Sequence, residues 1–418
     1  MRKAIQRDPR QTLPSLRIQA NAQPSINSRG KRLALLILAA LLVGLLGRFY
    51  LILNYVGDYD YYSFDIVAGI MLRGGNIYAE TARYNYSPVW AYVLLGLTHV
   101  TTTFHVPYQV VIRTFLTTVD LAIAVLVGYI ASVIVPGRGW LSFAAYWANP
   151  VTILLTGYHG QFENLAMLPL VGAVALVSRP KADTPETAIW ALGTLALLVK
   201  QISVFAVWML FVYTFRGRRS FLAMGLSGVV FLASFLPFLP GGLNGIIQNV
   251  LLYQSAVGVY GFGLLPRIVV WLANYLPHLS FDWPRLALEI LKYLIVPFVA
   301  FMALLPYAAR NKARKSLPEA MCLSAVGLLA AIYGFGEQYF SIPVIFGSYA
   351  LSVPYALYTL VTGLMILNSP VNVALFGGWG LHPFIIVVNV VWLCTVGWFV
   401  FELRRSPVTA SRQDTTAI

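Results

Sequence analysis

The 418-residue sequence has little charge and almost no cysteine. Only 11% of its residues are charged whereas 59% are hydrophobic, and the mean hydropathy is +0.73. No soluble fold hides that much apolar side chain, so the composition excludes a water-soluble globular protein and predicts an integral membrane protein. Cys322 and Cys394 both lie in apolar stretches, which excludes a disulfide framework or a cysteine metal site and indicates packing residues.

The apolar stretches are long enough to cross a bilayer as helices, which need roughly 20 residues each, and too long for barrel strands. We therefore expect an all-α fold: a polytopic transmembrane helical bundle of about twelve spans, with external juxtamembrane helices. The predicted divisions are a disordered basic tail at 1–32, a transmembrane domain at 33–402 that includes a first external loop at 55–108 and an external segment at 240–285, and a C-terminal tail at 403–418.

Acidic residues are scarce: 15 of them stand against 29 Lys and Arg, a net charge of +14. Most of the basic residues fall in six segments, at 2–32, 138, 179–181, 216–219, 310–315 and 404–412. The positive-inside rule places all six in the cytoplasm, and an even number of spans fits between each neighbouring pair. The charge is thus explained by topology, which argues against a nucleic-acid partner.

Eight of the fifteen acidic residues fall at or near the predicted outer face. They are Asp58, Asp60, Asp65, Glu80, Glu163, Asp282, Glu289 and Glu337. The same face holds the cations Arg73, Arg83, Arg113, Lys200, Arg267 and Arg285. Carboxylates are costly beside a bilayer, so a cluster of them there indicates a functional site.

One reaction that suits such a site is sugar transfer from a polyprenyl phosphate carrier. The leaving group is a phosphate monoester that is stable as an anion, so no general acid is needed, unlike in glycoside hydrolysis. One carboxylate takes the proton from the acceptor hydroxyl while a Lys or Arg holds the phosphate. This mechanism inverts the anomeric centre.

Several segments resemble the GT-C superfamily of membrane-embedded, polyprenyl-phosphate-sugar-dependent glycosyltransferases. Residues 57–61, Gly-Asp-Tyr-Asp-Tyr, resemble the acidic first-loop motif of that superfamily, and residues 84–90 and 113–120 resemble its next two conserved stretches. Residues 159–164 and the Lys200-Gln201 pair are similar to motifs of the glucosyltransferases of asparagine-linked glycan assembly, whereas residues 60–64 and 338–340 are similar to GPI mannosyltransferase I. The mixture implies transfer of a hexose, either mannose or glucose.

The resemblance also implies roles for individual residues. It implies Asp58 as general base with Asp60 beside it as the catalytic pair. It implies a donor and phosphate site formed by Lys200, Gln201, His159, Gln161, Glu163, Arg267, Glu337, Gln338 and Tyr339. It implies an acceptor side or loop that includes Arg83, Tyr86, Trp90 and Tyr260. No cofactor is expected, although an Asp-x-Asp pair such as Asp58 and Asp60 is able to hold a divalent cation.

Alternatives remain open at this stage. A flippase for lipid-linked sugars, or another polytopic transporter, would place its charges near the midplane between internal repeats, and no repeat is evident here. A non-catalytic scaffold is a further possibility. Lys200 could simply extend its ammonium to the membrane interface, and His159 could be a hydrogen-bonded histidine at that interface without a functional role. Asp120 lies inside a predicted span and is expected to be a structural partner for an intramembrane hydroxyl or Arg. The expected partners are the lipid-linked donor, a glycan, lipid-linked or other hydroxyl acceptor and membrane lipids, in a bacterial inner membrane with the site facing outside.

Overall fold

A computed structural model describes residues 28–57, 59–179, 186–253, 259–275, 282–312, 314–334, 336–370 and 380–406. Every regular element in these ranges is a helix. The α-helices are α1 Ser28–Asn54, α2 Tyr59–Leu72, α3 Ile77–Glu80, α4 Pro88–Phe104, α5 Tyr108–Ile134, α6 Gly139–Trp147, α7 Pro150–Leu154, α8 Glu163–Val177, α9 Glu186–Val199, α10 Val204–Thr214, α11 Arg218–Ala233, α12 Leu239–Gly245, α13 Leu264–Tyr275, α14 Trp283–Tyr307, α15 Leu317–Ala331, α16 Ser341–Gly347, α17 Val353–Leu367 and α18 Leu381–Arg404. The all-α prediction is confirmed for these residues.

Five helical segments within the described ranges are long and apolar enough to cross a membrane. They are Leu33–Asn54, Tyr108–Ile134, Arg218–Leu251, Lys292–Asn311 and Leu381–Arg404. Several other predicted spans are also helical, but they contain only 10–17 residues and fall short of the roughly 20 that a perpendicular crossing requires. The structure is therefore compatible with a membrane protein that has five candidate spans, and the count of twelve stays a prediction.

Proline and capping residues explain where the helices divide. The apolar stretch at 140–157 is divided between α6 and α7. Asn149 caps α7 by accepting a hydrogen bond from the Val151 N–H, and Pro150 occupies the first position of that helix. At the start of α15, which follows the basic segment 310–315, Ser316 and Glu319 form a reciprocal capping box on either side of Pro318. In both places, a capping residue and a proline mark the first turn of the helix.

The core lies around α5, α8 and α15. Fourteen of the fifteen residues of α15 are buried, and α5 and α8 are packed against each other, whereas α1 and α11 expose many large apolar side chains. A helix that is apolar on all sides and buried belongs to the interior, and an apolar helix with exposed side chains suits contact with lipid. The bundle therefore has an inner layer and an outer apolar layer.

The basic loops meet at one end of the bundle. The Lys315 ammonium donates to the Arg405 carbonyl oxygen, and the Arg310 guanidinium donates to the Val212 carbonyl oxygen near the Arg216 cluster. Arg138 lines the same small cavity as Arg405. Four of the six predicted cytoplasmic segments thus lie together, as the positive-inside assignment expects.

The predicted tails fall largely outside the described residues. Residues 1–27 and 407–418 are not described. Helix α1 begins at Ser28, so its first five residues, 28–32, fall within the predicted N-terminal tail. The predicted external loop at 55–108 contains the helices α2, α3 and α4.

Candidate functional site

The site is built around a sharp turn that joins α7 to α8. Residues Leu155–His159 form one turn of π-helix, and Gly160 follows with a φ of 66°, a left-handed conformation that favours glycine. A side chain at this position would also approach Arg113, because a Cβ there would lie 3.3 Å from its Cγ. The turn places His159, Gln161 and Glu163 within five residues of one another.

A buried carboxylate holds both flanks of this turn. Asp120 Oδ2 accepts a hydrogen bond from the Thr156 hydroxyl at 2.6 Å, and Asp120 Oδ1 accepts one from the Asn164 amide at 3.0 Å. The Arg48 guanidinium lies 2.9 Å from Asp120 Oδ2, and the Tyr146 hydroxyl donates to Asp120 Oδ1 at 2.6 Å. Asp120 is thus the structural partner of an arginine and of hydroxyls, as the sequence predicted.

Arg113 joins the turn to the end of α1. Its guanidinium donates to the carbonyl oxygens of Ile52 at 3.1 Å and Tyr55 at 2.6 Å, and to the carbonyl oxygen of Gly157 at 3.1 Å. Carbonyl groups at helix ends lack hydrogen-bond donors within the helix, and the buried Arg113 guanidinium supplies those donors. The predicted acidic loop therefore begins next to the turn that carries His159.

Asp60 contacts this turn directly. Its Oδ2 atom lies 2.5 Å from Gln161 Nε2, and its side chain is half-buried at the start of α2. Asp58, the predicted general base, lies outside the described residues, so its geometry stays a prediction.

Lys200 and Glu163 form a buried ion pair. Both side chains are at least 97% buried, and the Lys200 ammonium donates to Glu163 Oε1. The ammonium also lies 4.6 Å from the ring centre of Tyr86, 4.5 Å from Phe162 and 5.7 Å from Tyr339, which adds cation–π attraction. Loss of one partner would strand a buried charge, which typically costs about 3–5 kcal/mol.

A second polar cluster lies where α15 ends. His159 Nε2 is 3.4 Å from Glu337 Oε2, and the Ser369 hydroxyl donates to Glu337 Oε1. His159 belongs to the turn, whereas Glu337 precedes α16, so the contact joins two segments that are nearly 180 residues apart in sequence. Ser369 was not predicted from the sequence, because a lone serine in a loop carries no pattern.

These groups adjoin a pocket of about 280 Å³. Its polar lining consists of Asn85, Tyr86, Lys200, Gln201, Tyr253, Tyr333, Gln338 and Tyr339. Five of these eight residues were predicted as site residues from the sequence. Asn85, Tyr253 and Tyr333 were not, although Asn85 lies inside a predicted motif. The backbone carbonyl oxygen of Asn85 accepts a hydrogen bond from the Gln201 amide at 2.7 Å.

Several buried acceptors near the pocket have no hydrogen-bond donor among the described residues. They are Glu163 Oε2, Gln161 Oε1 and Gln201 Oε1. An unsatisfied buried acceptor is costly unless a ligand or water donates a hydrogen bond to it, so this arrangement suits a ligand rich in hydroxyl groups.

The Tyr253 phenol adds a hydrogen-bond donor to the pocket. Burial, and secondarily the charge of Asp60, raises the pKa of Tyr253 above its ordinary value, so this phenol is a neutral donor.

Nine described residues of the predicted site do not line the pocket. Five of them form the contacts given above: Asp60, His159, Gln161, Glu163 and Glu337. The other four lie elsewhere. Trp90 is fully buried and stacks on Phe162 with ring centres 4.2 Å apart, and Tyr260 is buried edge-on against Phe340. Both side chains act in packing. Arg83 is exposed, with its guanidinium 4.6 Å from the ring centre of Tyr59, and Arg267 is exposed on α13.

The described residues contain no group of three His, Cys, Asp or Glu side chains arranged to hold a metal ion. Asp58 is not among them, so a cation shared by Asp58 and Asp60 is not tested. Comparisons with protein-family models, curated proteins and solved structures found no match to this chain.

Proposed function

We propose that the chain is a membrane-embedded inverting glycosyltransferase that moves mannose or glucose from a polyprenyl phosphate to a hydroxyl acceptor at the external face. The proposal rests on contacts that bring three distant segments together beside one polar pocket. Asp60 contacts Gln161, Glu163 of the same turn pairs with Lys200, and Lys200 lines the pocket. Carboxylate, amide and ammonium groups that lie next to one another in a membrane protein suit a substrate with hydroxyl groups and a phosphate.

The pocket lies at the end of the bundle opposite to the basic loops. Helix α10 runs from the Lys200 end to the Arg216 cluster, and α15 runs from Lys315 to the segment that carries Glu337. With the basic loops in the cytoplasm, the pocket faces the external side. Polyprenyl-linked sugars that are used there reach the pocket from the outer leaflet.

The proposed chemistry uses few groups. Asp58 accepts the proton of the acceptor hydroxyl as the oxygen attacks the anomeric carbon, and the phosphate leaves as a stable anion on the carrier lipid. The Lys200 ammonium has three N–H donors, of which Glu163 takes one, so two others are available to the phosphate. Asp60 and Gln161 position the acceptor beside the base.

The donor's lipid tail has a matching cavity. A second cavity of about 550 Å³ shares Phe298 and Tyr333 with the polar pocket. It is otherwise lined by apolar and aromatic side chains, including Phe262, Pro297, Phe301 and Trp392. A polar pocket joined to an apolar cavity fits an amphiphile whose sugar phosphate is polar and whose isoprenoid chain is not.

The test is sugar transfer by purified protein in detergent. Polyprenyl phosphates that carry radiolabelled mannose or glucose are supplied with a membrane-lipid or glycan acceptor extract, and consumption of donor is measured by chromatography. We expect one sugar to be transferred, and we expect Asp58→Asn to lower the rate of transfer by about 10² to 10⁴ while retaining donor binding. Donor that binds but is moved across vesicles without bond cleavage would instead establish a flippase, and absence of donor binding would contradict the proposal.

A further inference from the structure

We propose that the basic end of the bundle contains a binding site for an anionic phospholipid. The site is a pocket of about 300 Å³ between the end of α10, the start of α11 and the end of α14. Its lining residues are Phe211, Val212, Phe215, Phe221, Tyr307, Arg310 and Asn311. It lies at the opposite end of α10 from Lys200, so it is separate from the sugar-transfer pocket.

The charge of this pocket is positive. The Arg310 guanidinium donates one hydrogen bond to the Val212 carbonyl oxygen, which anchors the side chain at the last turn of α10. A guanidinium has five N–H donors, so most of them remain for a ligand. None of the described residues that line the pocket is acidic.

The surroundings strengthen this charge. Arg216, Arg218 and Arg219 are exposed at the junction of α10 and α11, and Phe221 of the pocket lies on the first turn of α11, where the helix dipole is positive. The carboxylates nearby have other partners. Glu186 accepts a hydrogen bond from the Ser220 hydroxyl at 2.7 Å, and Glu319 accepts one from the Ser316 hydroxyl at 2.7 Å.

The walls of the pocket are aromatic. The Phe211 ring centre lies 5.4 Å from that of Phe215, 5.5 Å from Phe221 and 5.3 Å from Trp208, on which it stacks. Phe221 is 57% exposed and Tyr307 44% exposed, so apolar surface continues outward from the pocket. Aromatic side chains at the end of apolar helices are typical of the membrane interface.

The Arg310 guanidinium and the aromatic wall of the pocket together favour one class of ligand. A free phosphate would use the guanidinium but gain nothing from the aromatic rings, and a zwitterionic lipid would use the rings while its own cation opposes the arginines. An anionic phospholipid satisfies both, because its phosphate meets Arg310 and its glycerol and first methylenes meet the rings. Basic pockets between membrane helices on the cytoplasmic side bind such headgroups.

The experiment measures binding of short-chain phosphatidylglycerol to the full chain in a neutral detergent, with the melting temperature of the protein as the readout. We expect a saturable rise in melting temperature, and we expect Arg310→Gln to weaken the apparent affinity about fivefold. Arg285→Gln is the matched control, because Arg285 is an exposed arginine at the start of α14, whereas Arg310 lies just after the end of that helix. Its affinity should equal that of the unmodified protein.

A second variant covers the possibility that Arg310→Gln does not fold. Asn311 is exposed and lines the pocket, so Asn311→Asp adds a carboxylate without disturbing the core, and it should weaken phosphatidylglycerol binding by a similar factor. Phosphatidylcholine of the same chain length should give no saturable shift. The proposal is overturned if inorganic phosphate alone stabilises the protein equally, or if Asn311→Asp and any folded Arg310→Gln bind as the unmodified protein does.

Discussion

Arg48 and Asp120 form a fully buried ion pair, 2.9 Å between Nη2 and Oδ2, that connects α1 to α5 in the interior of the bundle. The same carboxylate accepts hydrogen bonds from Thr156 and Asn164, on either side of the turn that carries His159, Gln161 and Glu163. The pair therefore links the packing of the helices to the geometry of the candidate site.

The first prediction concerns this pair. Asp120→Asn leaves the Arg48 charge buried without a counterion, so the protein should lose about 3–5 kcal/mol of stability, measured by thermal or chemical unfolding in detergent. The double variant Arg48→Met with Asp120→Leu removes both charges and should recover much of the loss. Glu289→Gln, at an exposed pair with Lys292, should leave stability nearly unchanged. An Asp120→Asn protein as stable as the Glu289→Gln control would refute the structural role.

The second prediction concerns Lys200. A charge-assisted contact to phosphate contributes about 1.5–3 kcal/mol, so Lys200→Ala should weaken binding of the polyprenyl phosphate sugar roughly tenfold to a hundredfold in an equilibrium binding assay. Because this change strands Glu163, the double variant Lys200→Met with Glu163→Gln serves as the control with no buried charge. If that stable double variant binds donor normally, the phosphate is held elsewhere.

The third prediction separates the two acids of the first loop. Asp58→Asn keeps the shape of the side chain but removes its basicity, so turnover should fall by about 10² to 10⁴ with donor binding preserved. Asp60→Glu retains an acceptor for Gln161 and should be tolerated far better. Near-normal turnover in Asp58→Asn, together with an inactive Asp60→Asn that still binds donor, would exchange the two roles.

The fourth prediction concerns topology. Ala82 is exposed in the first predicted external loop, so Ala82→Cys in a Cys394→Ser background should react with an impermeant thiol reagent applied from outside the cell. Arg218→Cys, exposed among the basic loops, should react only after the membrane is opened. Cys322 is buried and contributes little background. The reverse labelling pattern would invert the orientation.

The amino-acid sequence indicated an all-helical chain with membrane character, the positions of most long helices and five of the polar residues that line the pocket. Hydropathy identifies helices because a bilayer admits few other backbone structures, and Pro and Asn mark the breaks locally. Gln201 and Gln161 were assigned through the resemblance to the GT-C superfamily, whereas Lys200 and Glu163 also stood out as charged residues in an apolar context, where their presence is costly. Asp120 was assigned a structural role on the same ground.

Which of these side chains contact one another is seen only in the tertiary structure. From the sequence, Lys200 was assigned to a phosphate and was not paired with Glu163, which lies 37 residues earlier. Asp120 was expected to have a structural partner, but that partner, Arg48, lies 72 residues away and was not identified. It placed Trp90 and Tyr260 at the acceptor side, whereas both are buried in packing contacts. Such contacts depend on how helices from distant segments pack and rotate, and hydropathy contains no information on the rotation of a helix that is apolar on every side.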